Sequence, residues 1–175
     1  NWLAEHLNDA NLRVVDVRKP SAYQGGHIVN SINIDTTDPT GPMYDQTAPV
    51  KWTVLTKENL DSLLGDAGIN NDTIVVAVDD ARGLWAARLF WTLEYYGHAN
   101  GKVRVLDGGL KKWQAEKREL TTEAPKVQKA TFVAKADPSK LATKQQILDS
   151  LGKPDTVVLA TIPEAEFKGG NSNSA

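Results

Sequence analysis

A chain of 175 residues with 41% hydrophobic and 24% charged side chains has the composition of a soluble globular protein, with room for one ordinary domain and part of another. A net charge of -2 without a basic cluster gives no support to a nucleic-acid partner, and apolar runs as short as residues 74–78 cannot cross a bilayer. With no cysteine, the chain offers no disulfide, no thiolate metal ligand and no thiol nucleophile.

The opening Asn1-Trp2-Leu3 has neither a charged stretch nor an apolar run behind it, so no signal peptide is expected. The missing initiator Met points to processing or trimming, and the expected compartment is the cytoplasm, with the periplasm left open. Residues 13–17 are short, β-branched and almost continuously apolar, which predicts a buried parallel strand. Residues 31–34 form a weaker strand. The stretch 35–53, with Pro39, Gly41, Pro42 and Pro49, reads as a long irregular cover or binding loop.

Leu60, Leu63, Leu64 and Ala67 then recur at helical spacing, with Thr56 placed as N-cap and Gly68 as the residue past the C-cap. Residues 73–78 are a second buried strand. Residues 84–96 are apolar on most of their circumference and end at Gly97, which predicts a helix packed on more than one side. A third strand at 103–106 and a short helix at 110–116, anchored by Trp113, follow. Strands alternating with helices give an α/β fold, a central parallel sheet with helices on both faces. Residues 121–140, with Pro125 and Pro138, read as an interdomain linker.

The chain also repeats itself. Residues 14–26 lie over 158–170 at an offset of 144, which sets Tyr23 on Phe167, and the same offset sets Ile147 on Leu3 and Leu151 on Leu7. That period is the size of a domain. The expected organisation is therefore a domain at 1–120, a linker at 121–140 and the truncated start of a second such domain at 141–175, too short to bury a core unaided.

In open parallel sheets, ligands collect beyond the carboxyl ends of the strands. Asp16, Asp79, Asp80 and Asp107 stand there. The loop 79–83 joins a buried strand to a buried helix and can aim several backbone N–H groups at one point, a geometry for a thiolate, persulfide or oxyanion. Its two carboxylates are expected to oppose such an anion. Asp16 and Arg18 read as a structural ion pair in preference to substrate ligands. His27 reads as a hydrogen-bonded turn residue in preference to a general base, and His98, just past a helix C-terminus, as a partly charged imidazole suited to the helix dipole.

Val15-Asp16-Val17-Arg18, Tyr23, Gly26-His27-Ile28 and Ile32-Asn33-Ile34 resemble the opening of rhodaneses. Gly83 to Arg88, Trp91, Tyr96-Gly97-His98 and Val105-Leu106-Asp107-Gly108-Gly109-Leu110 with Trp113 resemble the non-catalytic first domain of tandem rhodaneses. Residues 147–170 resemble the start of the second domain. Val29-Asn30 departs from the family's usual Pro-Gly, and Ala160 and Ile162 replace the Asp and Arg expected in the second copy.

The resemblance implies a rhodanese-like fold and a sulfurtransferase that moves sulfane sulfur from thiosulfate or 3-mercaptopyruvate to a thiophilic acceptor, cyanide or a thiol. It sets Asp79 or Asp80 at the place of the family's reactive cysteine, so no residue of this chain is expected to be catalytic and the chain alone is expected to be inactive. No cofactor and no metal are implied. Trp85 reads either as core packing or as an apolar wall of the cleft between domains, and Arg82 and Arg88 either face solvent or line that cleft. Asp16, Arg18, His27, Asp107, Gly108 and Gly109 form the structural signature. The expected partners are the second rhodanese domain and, through it, a small-molecule sulfur donor; no nucleic acid or membrane is expected.

Two other readings compete. One is a rhodanese-like module used for binding or regulation without enzyme activity. The other takes the acidic strand ends as a Mg²⁺-dependent receiver-type phosphoacceptor; against it, no lysine follows a strand at the carboxyl edge, Lys102 lying before its strand.

Overall fold

The computed structural model describes residues 2–98 and 101–170. The chain divides into two compact units, Asn1–Asp137 and Pro138–Ala175. The first contains helices α1 (Trp2–His6), α2 (Pro20–Gln24), α3 (Lys57–Asp66), α4 (Leu84–Tyr95) and α5 (Gly109–Ala115). Its strands are β1 (Leu12–Asp16), β2 (His27–Ile28), β3 (Ile32–Asn33), β4 (Ile74–Val78), β5 (Val103–Val105) and β6 (Leu120–Thr121).

Four strands form one parallel sheet in the order β3-β1-β4-β5, with Val14 opposite Val76 and Ala77 opposite Val105. Alternate side chains of a strand leave opposite faces, and here that alternation divides the core. Val15, Val17, Val75 and Ala77 join α3 and α4 through Leu60, Leu64, Leu89 and Leu93. Leu12, Val14, Val76 and Val78 join α1 and α5 through Leu3, Leu110 and Trp113. The helices on both faces are as expected. Thr56 caps α3, its side chain accepting the Asn59 N–H, and Gly68 beyond its C-cap takes a φ of 70°. The apolar girth of α4 is also explained: Ala86, Leu89, Thr92 and Leu93 are buried, while Trp85 and Phe90 pack against the same core from its flanks.

One pairing was not foreseen. β2 and β6 form a separate antiparallel pair, with His27 opposite Thr121.

The first unit runs to Asp137, past the boundary expected at 120, because the segment read as a linker is a strap packed on the domain. Phe132 and Ala134 are buried in the α3–α4 core, with Val127 beside them. The strap's backbone is held by Ala130 N–H to the Gly65 carbonyl (2.9 Å), Lys135 N–H to Tyr96 (2.9 Å) and Asp137 N–H to Tyr95 (2.7 Å). Asn71 brackets Val133, accepting its N–H and donating to its carbonyl, both at 3.0 Å. The strap passes so close to α3 that a Cβ on Gly65 would lie 2.8 Å from the Ala130 carbonyl oxygen.

His98 closes this corner. It is 2% exposed, its Nε2 lies 2.9 Å from the Thr73 carbonyl, and its ring packs 5.3 Å from that of Phe132. Burial, foremost, holds its pKa below the ordinary 6.5, which favours the neutral imidazole over the partly charged helix-end form.

The second unit has a 3-10 turn (Pro138–Lys140), α6 (Lys144–Ser150) and α7 (Glu164–Phe167). Thr143 and Gln146 form a reciprocal capping box at the start of α6. The offset of 144 places α6 over the region of α1, and α7 over that of α2, but the counterpart of β1, residues 156–160, forms no strand. A strand of this kind needs a paired neighbour on the sheet, and none is present among the described residues of this unit. None of residues 138–170 is buried.

The strap makes a direct stability prediction. Phe132→Ala should lower the unfolding free energy of the first unit by about 3 kcal/mol in urea denaturation. A change under about 0.5 kcal/mol, the range of ordinary surface substitutions, would show the strap to be peripheral.

His98 makes a second one. A depressed folded-state pKa means that the unfolded chain binds the proton more readily, so its stabilising contribution is full above the ordinary pKa and is lost as pH falls through the folded value. Resistance to thermal unfolding should therefore weaken as pH drops below about 6.5, and His98→Gln should flatten that slope; an unchanged slope in the variant would refute the assignment.

Candidate functional site

β4 ends at Val78, and the chain turns through residues 79–83 into α4. The turn is tight because Arg82 and Gly83 both take positive φ, 60° and 88°. It curls around one side chain. Asp79 is 1% exposed, and its Oδ1 accepts the N–H groups of Ala81 (3.1 Å) and Gly83 (2.9 Å). Its Oδ2 accepts those of Trp85 (2.9 Å) and Ala86 (3.0 Å). The carboxylate thus sits at the positive end of α4 and satisfies donors that the first helical turn leaves open.

The two carboxylates expected to oppose an anion in this loop take different positions. Asp79 is itself the anion in the cradle. Asp80 is exposed and takes no part in it.

The Asp79 backbone carries a second junction. Its carbonyl accepts the Leu110 N–H at 2.8 Å, docking the start of α5 against the loop. A Cβ on Gly109 would lie 2.4 Å from that oxygen, so the second glycine of Asp107-Gly108-Gly109 is a packing requirement. The Asp107 carboxylate has a different position: its side chain is 96% exposed and pairs with Lys112 at 3.2 Å.

At the end of β1, Asp16 and Arg18 form the buried pair expected of them. Arg18 Nε reaches both carboxylate oxygens (2.9 and 3.1 Å), Nη2 reaches Oδ2 at 2.6 Å, and the Arg18 N–H adds a bond to Oδ1. Nη2 also donates to the Gly26 carbonyl at 2.8 Å, tying the strand end to the turn before β2. His27 is buried in that turn, with Nδ1 2.8 Å from the Tyr23 carbonyl, Nε2 3.2 Å from that of Glu123, and its ring stacked on Tyr23. Both ring nitrogens face backbone, as a turn residue's should. The four strand-end aspartates therefore do not converge, since two are consumed inside the fold and two are exposed. Among the described residues no three His, Asp or Glu side chains gather as a metal cluster.

The candidates for the cleft separate. Arg82 is exposed and borders a groove of about 310 Å³ between the carboxyl ends of β4 and β5, with Asp80, Val105, Gly108 and Lys111. Trp85 is half-buried against the core and stacks on Trp52 with ring centroids 6.0 Å apart. Arg88 is half-buried. Its guanidinium lies 4.7 Å over the Tyr44 ring and 5.4 Å over Trp91, and Nη2 donates to the Trp52 carbonyl at 2.7 Å. Burial, foremost, lowers its pKa. Arg88 is thus the pin of the 35–53 loop, whose Met43 and Tyr44 are buried in the core. Tyr44 and Trp52 went unread in the sequence because an irregular loop has no periodicity to mark inward side chains.

The model of the rhodanese-like domain matches residues 1–116. The chain belongs to the rhodanese-like domain family. It is 35% identical over 155 residues to the sulfur carrier protein TtuD of Thermus thermophilus, covering 87% of this chain and 52% of that protein. It is 29% identical over 173 residues to the thiosulfate sulfurtransferase of Corynebacterium glutamicum, covering 97% of this chain and 55% of that protein. The chain thus spans about half the length of these relatives. In fold it is similar to the crystal structure of SseA from Escherichia coli, a 3-mercaptopyruvate sulfotransferase, with a TM-score of 0.83 and 24% identity over 95% of this chain and 65% of that one. No helix among the described residues is long and apolar enough to cross a membrane.

The loop predicts unequal effects for its two aspartates. Asp79→Ala leaves four N–H groups without their acceptor and should cost about 3 kcal/mol of stability. Asp80→Ala, at an exposed position, should stay within about 0.5 kcal/mol. Equal effects in chemical denaturation would contradict the cradle.

Proposed function

We propose that this chain is the catalytically silent half of a tandem sulfurtransferase that moves sulfane sulfur from thiosulfate or 3-mercaptopyruvate to a thiophilic acceptor such as cyanide or a thiol. The observation that carries this reading is the Asp79 carboxylate seated in the backbone cradle at the head of α4. Sulfur transfer from thiosulfate needs a thiolate that attacks the outer sulfur, forms a persulfide and releases sulfite; the acceptor then takes that sulfur and restores the thiolate. A carboxylate forms no persulfide, and the chain has no cysteine.

The thiol would belong to a second rhodanese domain. Three observations support such a partner. The chain covers about half of relatives that are named as sulfurtransferases or as a sulfur carrier. Its sequence repeats at a domain-sized offset. In its second unit, Val157 and Leu159 are 80% and 79% exposed, apolar surface that a continuing fold would cover. In this reading Trp85 and Arg82 contribute to the wall facing the partner's sulfur site, and Arg88 acts behind them by holding Trp52 against Trp85.

Incubated with thiosulfate and cyanide, this chain should form no thiocyanate above the blank, and saturable turnover would overturn the silent assignment. A protein carrying this chain together with a cysteine-bearing second domain should turn over and should lose activity when that cysteine is replaced. Inactivity of such a protein would favour a rhodanese-like module that binds or regulates without catalysis.

A further inference from the structure

A second concavity adjoins the strand-end groove, sharing Val105, Leu106, Asp107 and Gly109 with it, and opens beside the edge strand β5. It has a volume of about 220 Å³. Its floor is apolar, from Leu3, Val76 and Leu106, and its walls include Trp2 and Trp113. Leu3, Val76 and Trp113 belong to the α1–α5 core, so the floor is part of the packed interior. Trp2, 39% exposed, is stacked on His6 with ring centroids 4.5 Å apart and brings the remainder of its indole to the surface.

The charges at its mouth are unequal. Lys112 pairs with Asp107 at 3.2 Å, and Arg118 pairs with Glu116 at 2.7 Å. Arg104 has no carboxylate partner among the described residues: its guanidinium lies 5.1 Å over the Trp2 ring, and Nε donates to the Gly101 carbonyl at 3.3 Å. The paired charges offset one another, and the Arg104 guanidinium is left as the uncompensated cation beside an aromatic wall.

A concave apolar site with a few placed polar groups is the usual form of a small-molecule site. The geometry points to a ligand site here for a small amphiphilic carboxylate, with its apolar body between Trp2 and Trp113 and its carboxylate on Arg104. The planar guanidinium matches a carboxylate in bidentate fashion, and holding Arg104 over Trp2 orders it before a ligand arrives. The site is independent of the sulfur-transfer reading, since none of its side chains enters the Asp79 cradle.

The test is a titration of the 175-residue chain with 3-phenylpropionate, followed by tryptophan fluorescence and by the indole N–H resonances. Saturable binding that shifts Trp2 and Trp113 is expected, with 3-phenylpropan-1-ol and acetate each binding more weakly. Arg104→Gln should weaken the carboxylate by about tenfold, the loss of one charge-assisted contact, and leave the alcohol unchanged. Arg82→Gln, at the strand-end groove, should change neither. The proposal is overturned if no saturable binding occurs, if Arg104→Gln binds the carboxylate as tightly as the wild type, or if Arg82→Gln is the variant that abolishes binding.

Discussion

The fold of the first unit turns on one buried carboxylate. Asp79 accepts four backbone N–H groups with its side chain and a fifth with its carbonyl, from Leu110. Those bonds fix where β4 stops, how α4 starts and where α5 docks. Charge-assisted bonds in a desolvated setting are stronger than neutral ones, and a buried carboxylate without them would be costly. The loop and its anion are therefore mutually dependent. The arrangement is that of an anion receptor, and the chain supplies the anion.

Around this point the domain is closed by parts that lie far apart in sequence. The Asp16–Arg18 pair anchors the end of the neighbouring strand and reaches across to Gly26. Arg88 pins the long loop through Tyr44 and Trp52. The strap seals the α3–α4 face with Phe132 and Ala134 and accounts for Gly65 beneath it. Each fastening restrains a segment with little regular structure of its own, which is where conformational entropy resists folding most.

The regular elements were legible because their signals are periodic. Val14 to Val17 and Ile74 to Val78 announced buried strands, and Thr56 and Gly68 marked the ends of α3. Short or irregular parts were not. β2 and β6 have only two residues each, too few for alternation to show. The strap was hidden by its prolines and polar residues, because two inward side chains, Phe132 and Ala134, make no pattern. In the second unit, Val158 and Leu159 look like a strand by analogy with Val14 and Val15, yet they form none without a neighbour to pair with. For the site, the residue types were legible in the sequence and their directions were not. Charge alone suggested that Asp79 would oppose an anion, but not that the positive φ at Arg82 and Gly83 turns the loop's donors onto the carboxylate itself. Nothing in the composition of a five-residue loop encodes that placement; it follows from backbone torsions.

Amide hydrogen exchange on the loop tests the central claim most directly. If the Asp79 carboxylate fills the cradle, the amides of Ala81, Gly83, Trp85 and Ala86 exchange slowly in the wild-type chain, and all four lose protection together in Asp79→Ala while the later amides of α4 keep theirs. Fast exchange at these four positions in the wild type, or protection that survives the substitution, would contradict the account.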